Sequence, residues 1–325
     1  MPVARSHAEL LAGGLAVLLE GGIAQDAVIQ STLTPSSFAG MCLALVPWLL
    51  CGGTLVLHHP FDLPTLTQQM RDELCTALIV PDAVAFPLAA TGWFAEAHPA
   101  SIIAAWRAPE RLATSPAWSV SGVALIDVAL FGEIALVPAR RRADSGPSPM
   151  PLGPLLAPRD AADGIVVAEV SRTEAGTIAV RGPMVPQHAF PPGIEESGLP
   201  HIKISERGLV DTGYTCRFDA DKKALVVTGP PAGMIRVGGY RFPLQDLRGT
   251  RRRHRSRGEA WRAAARGHRP AALRVGGRPR RHASGAACGR CQSIDRRRLR
   301  KRSGLTLQNI ADWPIALTAR SRVWA

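Results

Sequence analysis

Along residues 8–130 the apolar positions switch repeatedly between a helical and an extended rhythm. Residues 8–19 carry apolar side chains at helical spacing, and residues 27–33 form a short run that predicts a strand. Residues 38–50 predict a hydrophobic helix and 54–58 a strand; 63–74 mix polar and apolar positions at helical spacing, and 76–80 are again a short apolar run. Residues 83–90 predict a further helix, and 102–106 and 123–130 further strands. Strands alternating with helical stretches predict an α/β layer, a mainly parallel sheet covered by helices.

The texture changes near Ala139. Residues 139–162 are rich in Arg, Pro, Ser and Gly and predict an exposed connection. Short β runs follow at 165–170, 176–181, 201–204 and 224–228, separated by turn residues, as in a small antiparallel sheet or barrel. The run from Leu225 to Thr228 ends in a Gly-Pro-Pro-Ala-Gly turn, followed by a second strand at 234–237, a Gly-Gly pair and an aromatic-basic segment. From Arg248 the periodicity disappears. The organisation expected is therefore an α/β layer domain (1–138), a linker (139–162), a small β-rich subdomain ending at a hinge (163–247) and a basic low-complexity tail (248–325). Segment 249–304 has too few apolar positions to offset its ordering entropy, so the tail is expected to be disordered.

Composition changes this picture in one respect. The net charge of +13 looks like a signal for nucleic acid or membranes, but residues 248–302 hold 20 Lys/Arg against two acids, and the remainder holds 19 against 24. The patterned part is mildly acidic; the basicity belongs to the tail. An apolar fraction of 46% excludes a wholly disordered chain. Six cysteines lie without a disulfide rhythm, two of them (Cys42 and Cys51) in an apolar run, which predicts reduced core thiols and a cytoplasmic setting. Residues 38–57 are uncharged and long enough to span a bilayer, but Pro47 and Gly52-Gly53 interrupt them, so a buried helix followed by a strand is expected rather than a membrane span. The apolar stretch at 10–19 is bracketed by Glu9 and Glu20, which argues against a signal peptide.

Several segments, taken in order, resemble the adenylate-forming superfamily, which includes AMP-forming acyl-CoA synthetases, luciferases and peptide-synthetase adenylation domains. They are Gly176-Thr-Ile-Ala-Val-Arg-Gly-Pro183, Gly208-Leu-Val-Asp-Thr-Gly-Tyr214, Val227-Thr-Gly229 and Ile235-Arg-Val-Gly-Gly-Tyr-Arg-Phe242. Phe131-Gly132 at a strand end is similar to that family's Tyr-Gly-x-Thr-Glu motif, Pro151-Leu-Gly-Pro-Leu to its linker, and Ser6-His7 to the segment after its phosphate-binding loop. The likeness covers roughly residues 3–247. It implies part of the large N-terminal domain of such an enzyme, with ATP and Mg²⁺ as cofactors and a carboxylic acid and a CoA or carrier thiol as partners. The reaction implied joins the carboxylate to the α-phosphate of ATP, then passes the acyl group to the thiol.

The chain departs from the family where the chemistry is done. Only five residues precede Ser6, too few for the phosphate loop. In Phe131-Gly132-Glu133-Ile134-Ala135 the motif's Thr is Ile134 and its metal-binding Glu is Ala135, with Glu133 an acid one register away. The ribose-binding Asp is Tyr214, with Asp211 three residues earlier; Pro230 and Ala232 stand where the hinge motif has an Arg and an acid. No counterpart of the family's C-terminal Lys is found. Loss of several such groups predicts a degenerate, truncated and catalytically impaired protein with no catalytic residue to name.

The residues the resemblance assigns to nucleotide binding are Phe131, Gly132, Glu133, Asp211 and Arg236, with Arg107 and Pro109 near an acyl pocket. Four of them have a plainer alternative: Phe131 as core, Arg236 as an exposed strand residue, Arg107 and Pro109 as an ordinary loop. No metal site is expected. His58-His59 lack a third ligand at useful spacing, and Cys288-x-x-Cys291 with His282 offers three ligands where structural zinc wants four. The tail has two explanations, a nucleic-acid-binding arm built on its Arg runs or the product of a shifted reading frame after Leu247; the second is favoured by the abrupt change of vocabulary. A non-catalytic protein that binds an acyl or nucleotide ligand or a partner protein is the alternative to an enzyme.

Overall fold

The computed structural model describes residues 3–141, 145–161, 163–197, 201–237, 240–244 and 318–319. Met1–Met234 belong to one compact unit, which contains both large sheets, and Ile235–Val237 fall in a second.

Helix α1 (His7–Gly21) begins at a reciprocal cap. The Ser6 hydroxyl accepts the Glu9 N–H at 3.2 Å, and the Glu9 carboxylate accepts the Ser6 N–H at 2.9 Å. It ends at Gly22, whose φ of 58° turns the chain out of the helix. Gly13 and Gly14 are poor helix formers, and the partner of α1 explains them. A Cβ on Gly13 would lie 2.8 Å from Cys42 Sγ, and one on Gly14 2.2 Å from Val46 Cγ1. The glycines let α1 lie directly on the second helical segment.

That segment is continuous over 38–51 but not uniform. Short α2 (Phe38–Gly40) and α3 (Val46–Cys51) flank a π turn, Met41–Leu45. Pro47 supplies no N–H for the helical ladder, and the turn just before it is widened so that the Val46 N–H reaches the Met41 carbonyl. Gly52 (φ 68°) then stops the helix. Among the described residues no helix is long and apolar enough to cross a membrane.

Strands β1 (Val28–Ser31), β2 (Thr54–Leu57), β3 (Ala77–Pro81), β4 (Ser101–Trp106), β5 (Ala124–Phe131) and β6 (Ala135–Arg141) form a sheet in the order β2-β1-β3-β4-β5-β6. All pairs are parallel except the β5–β6 hairpin. One face carries α1 and the 38–51 segment on Ile29, Ile79, Ile103, Ile126 and Val128. The other carries α4 (Leu63–Asp72), α5 (Asp82–Ala90) and α6 (Phe94–Ala97) through Leu66, Met70, Leu88 and Phe94, against Leu78, Val80, Ile102 and Ala104. This is the expected helix-covered parallel sheet.

A second, antiparallel sheet contains β7 (Met150–Pro151), β8 (Gly153–Ala157), β9 (Ile165–Arg172), β10 (Thr177–Arg181), β11 (Val210–Asp219) and β12 (Ala224–Gly229), in the order β7-β12-β11-β10-β9-β8. Three expectations change here. Residues 139–162 are not a bare connection: β6 runs to Arg141, and β7 and β8 lie within the stretch, with Leu155 and Ala157 fully buried. Residues 201–204 are not a strand but carry one isolated bridge, Ile204 to Val210. The longest strand of the sheet, β11, had no strand prediction: Val210, Tyr214 and Cys216 alternate with Asp211, Thr215 and Arg217 as a half-buried strand should, but Gly213 interrupts the run and reads as a turn.

Strands β13 (Met234–Val237) and β14 (Tyr240–Pro243) pair with each other. A two-residue strand β15 (Thr318–Ala319) runs antiparallel to β2. The remaining tail, with the expectation of disorder attached to it and the Cys288, Cys291 and His282 cluster, lies outside the described residues.

Candidate active site

The β5–β6 hairpin turns through Phe131, Gly132, Glu133 and Ile134, closed by the Ile134 N–H on the Phe131 carbonyl at 3.1 Å. Gly132 takes a φ of 60°, a conformation that side chains with a Cβ adopt reluctantly. Phe131 is fully buried and meets the Tyr214 ring edge-on at 5.1 Å, tying this turn to β11 of the second sheet. It is core rather than an open platform for a base. Ile134 and Ala135 are 5% and 1% exposed, so the two positions that would carry the family's Thr and Glu are apolar and sealed.

Glu133 has a different occupation. Its Oε2 accepts the Phe38 N–H at 3.1 Å, at the start of the 38–51 helical segment, where free N–H groups and the helix dipole favour an anion. Its backbone carbonyl accepts from Arg5. The Arg5 guanidinium also donates to the carbonyls of Met184 (2.6 Å) and Ile134 (2.7 Å) and stacks 3.6 Å from the centroid of Phe38. Burial pulls the Arg5 pKa down, opposed by Cys42, Glu9 and Glu133. Burial likewise pushes the Cys42 thiol up to about 12, with Arg5 pulling it down and Glu133 pushing it up, so this cysteine is no nucleophile. Arg5, Phe38 and Met184 were not singled out from the sequence. The one local signal was the Ser6-x-x-Glu9 cap, which places Arg5 just ahead of a helix.

The other assigned residues do not join this cluster through any hydrogen bond described. Asp211 is exposed and its Oδ1 accepts the Gly213 N–H at 2.8 Å, a local turn contact, while Tyr214 at the expected ribose acid is 2% exposed. Arg107 is half-buried just after β4. Pro109 opens a 3₁₀ turn, Pro109–Thr114, and lines a cavity of about 760 Å³ together with Ala129 and Val137. The backbone of Arg236 lies in β13; its side chain lies outside the description. Pro230 and Ala232 are exposed in the turn before that strand.

This arrangement does not fit a magnesium ion. The position that should offer a carboxylate is Ala135, and the neighbouring acid is committed to a helix N-terminus. Among the described residues no three His, Cys, Asp or Glu side chains are placed to hold a metal. His58 is not a ligand either: its Nδ1 lies 2.8 Å from Gln69 Oε1, and its Nε2 accepts the Asp62 N–H at 3.0 Å. The four described cysteines are free and buried.

No protein-family model and no curated protein matches this sequence. Solved structures do. The apo form of MatB from Rhodopseudomonas palustris superposes with a TM-score of 0.52 at 18% identity, over 74% of this chain and 47% of that one. An artificially fused adenylation–PCP di-domain, NpsA-ThdA from Klebsiella oxytoca, gives 0.52 at 14% identity, over 75% of this chain and 47% of that one. The fold is therefore the adenylate-forming, acyl-CoA-synthetase-like fold, and the chain spans about half the length of the structures it matches.

Proposed function

We propose that this chain carries part of the scaffold on which AMP-forming acyl-CoA synthetases activate a carboxylate, without the side chains that run the reaction. The observation that carries the proposal is the β5–β6 turn. Where the family's reaction calls for a hydroxyl and a metal-binding carboxylate, the chain has buried Ile134 and Ala135, and Glu133 holds a helix N-terminus instead. Tyr214, Pro230 and Ala232 remove the further polar groups that the resemblance calls for. Side chains that stabilise developing charge are commonly worth about 10²–10³ in rate each, so losing several leaves no useful adenylation. A carboxylic acid and a CoA or carrier thiol remain the partners such a scaffold serves in a cytoplasmic setting, and the adenylation–PCP fusion of similar fold is consistent with them.

ATP–pyrophosphate exchange on the full chain, across a panel of carboxylic acids with Mg²⁺, tests this reading. Exchange indistinguishable from buffer is expected, and a melting temperature unmoved by millimolar ATP with Mg²⁺ should accompany it. Acid-dependent exchange above background would overturn the inactive reading.

A further inference from the structure

An outer strand of a sheet offers a row of backbone N–H and C=O groups to whatever comes next. Proteins guard such edges with proline, with charge or with a covering segment. The parallel sheet guards its two ends differently. At one end β6 carries Pro138, which has no N–H to offer. Farther along β6, the Arg140 N–H goes to Glu20 Oε1 at 2.7 Å, and the Arg140 carbonyl accepts the Ser148 hydroxyl at 2.8 Å. At the other end β2, Thr54-Leu-Val-Leu57, has neither a charge nor a proline. It keeps an unbroken parallel register with β1, and its buried Leu55 and Val56 enter the cores on opposite faces of the sheet.

What lies on the outer side of β2 comes from the far end of the chain. Thr318 pairs with Val56 and Ala319 with Leu55, antiparallel beside strands that run parallel to one another from β2 to β5. The tail's own composition singles out this segment. Residues 248–302 hold 20 Lys/Arg, whereas 303–319 hold none and a single acid, Asp312. Within it Ile315, Leu317 and Ala319 alternate with Ala316 and Thr318, the two-residue rhythm of a strand. An uncharged edge is met by the uncharged stretch of an otherwise basic tail.

We propose that the outer edge of β2 is a docking site for an extended peptide, and that the segment around Thr318–Ala319 of this same chain is its occupant. Main-chain hydrogen bonds hold an added strand, so the site asks of its occupant little beyond an uncharged, extended backbone. Seated there, the segment closes the edge to a second copy of the chain. The inference rests on the strand pairing and on residue identity, and does not depend on the adenylation reading.

Hydrogen exchange on the full chain tests this, comparing the parent with the double variant Thr318→Pro/Ala319→Pro. Adjacent strand residues send their N–H groups to opposite sides, so replacing both removes the donor that faces β2, whichever residue carries it. Amides of residues 54–57 are expected to exchange at least tenfold faster in the variant, with β3 and β4, inside the sheet, unchanged. A synthetic peptide of residues 313–320, added to the variant at millimolar concentration, should restore the parent's rate. Equal exchange in the parent and a monomeric variant, acceleration through β3 and β4 as well, or no restoration by the peptide would each overturn the proposal. Slow exchange kept in a variant that sedimentation shows to be dimeric would place a second copy on the vacated edge, and would support the edge as the docking surface.

Discussion

Two opposing effects meet at Gly14. Alanine has the better helix propensity, by about 1 kcal/mol in a helix interior. Yet a Cβ there would stand 2.2 Å from Val46 Cγ1 and 2.4 Å from Val46 Cβ, and a β-branched side chain in a helix has little rotamer freedom with which to move away. Forced overpacking typically costs about 1–3 kcal/mol, so contact should win. Gly14→Ala is expected to lower the urea midpoint, and Gly14→Ala with Val46→Ala to recover part of the loss. A Gly14→Ala protein as stable as the parent would show that α1 and the 38–51 segment are not in the close contact described.

At the scale of the element, helix α4 is held at its start by Asp62. Its Oδ2 accepts the Thr65 hydroxyl at 2.6 Å and the Thr65 N–H at 2.9 Å, and those two contacts, the hydroxyl foremost, hold the carboxyl below its ordinary value. The folded state therefore favours the ionised form. The stabilisation is fully present above the ordinary carboxylate pKa and fades as pH falls through the lowered one. Asp62→Ala should lower the urea midpoint most near neutral pH, with the gap to the parent closing as pH falls through the lowered carboxyl pKa. A gap that stays constant with pH would mean that the charge adds nothing to the cap. The same scale separates what could be read from the chain. The first five strands are separated by helical segments, and stops such as Gly22 and Gly52 end the helices ahead of β1 and β2. Strand β11 could not be read so easily, since Gly213 breaks its alternation in mid-run and its pairing with β10 and β12 is what carries the strand through that position.

For the whole molecule, the two large sheets share one compact unit and one core. Phe131 of the first packs on Tyr214 of the second, and Leu136, Val180 and Val210 belong to the same buried cluster. They are expected to unfold together. Trp106 and Trp118 report on the parallel sheet through fluorescence, and alkylation of buried Cys216 reports on the antiparallel one. Burial raises the Cys216 pKa, so its thiol should react only once that sheet opens. Coincident urea midpoints by the two probes are expected; separate midpoints would mean that the sheets are independent folding units.

The sequence by itself determined most of the helices and strands in the α/β layer, though not α6 or β6, and which side chains are missing from the expected chemistry. Periodicity, caps and residue identity are local properties, and the absence of a carboxylate at Ala135 needs no coordinates. Only the tertiary structure decided what the remaining side chains do instead. Glu133 meets the Phe38 N–H across 95 residues of chain, Arg5 meets Met184 across 179, and Arg159 N–H meets Glu20 across 139. Hydrogen bonding and burial depend on which strands become neighbours. That is settled by packing two sheets on one core, and no window of sequence contains it.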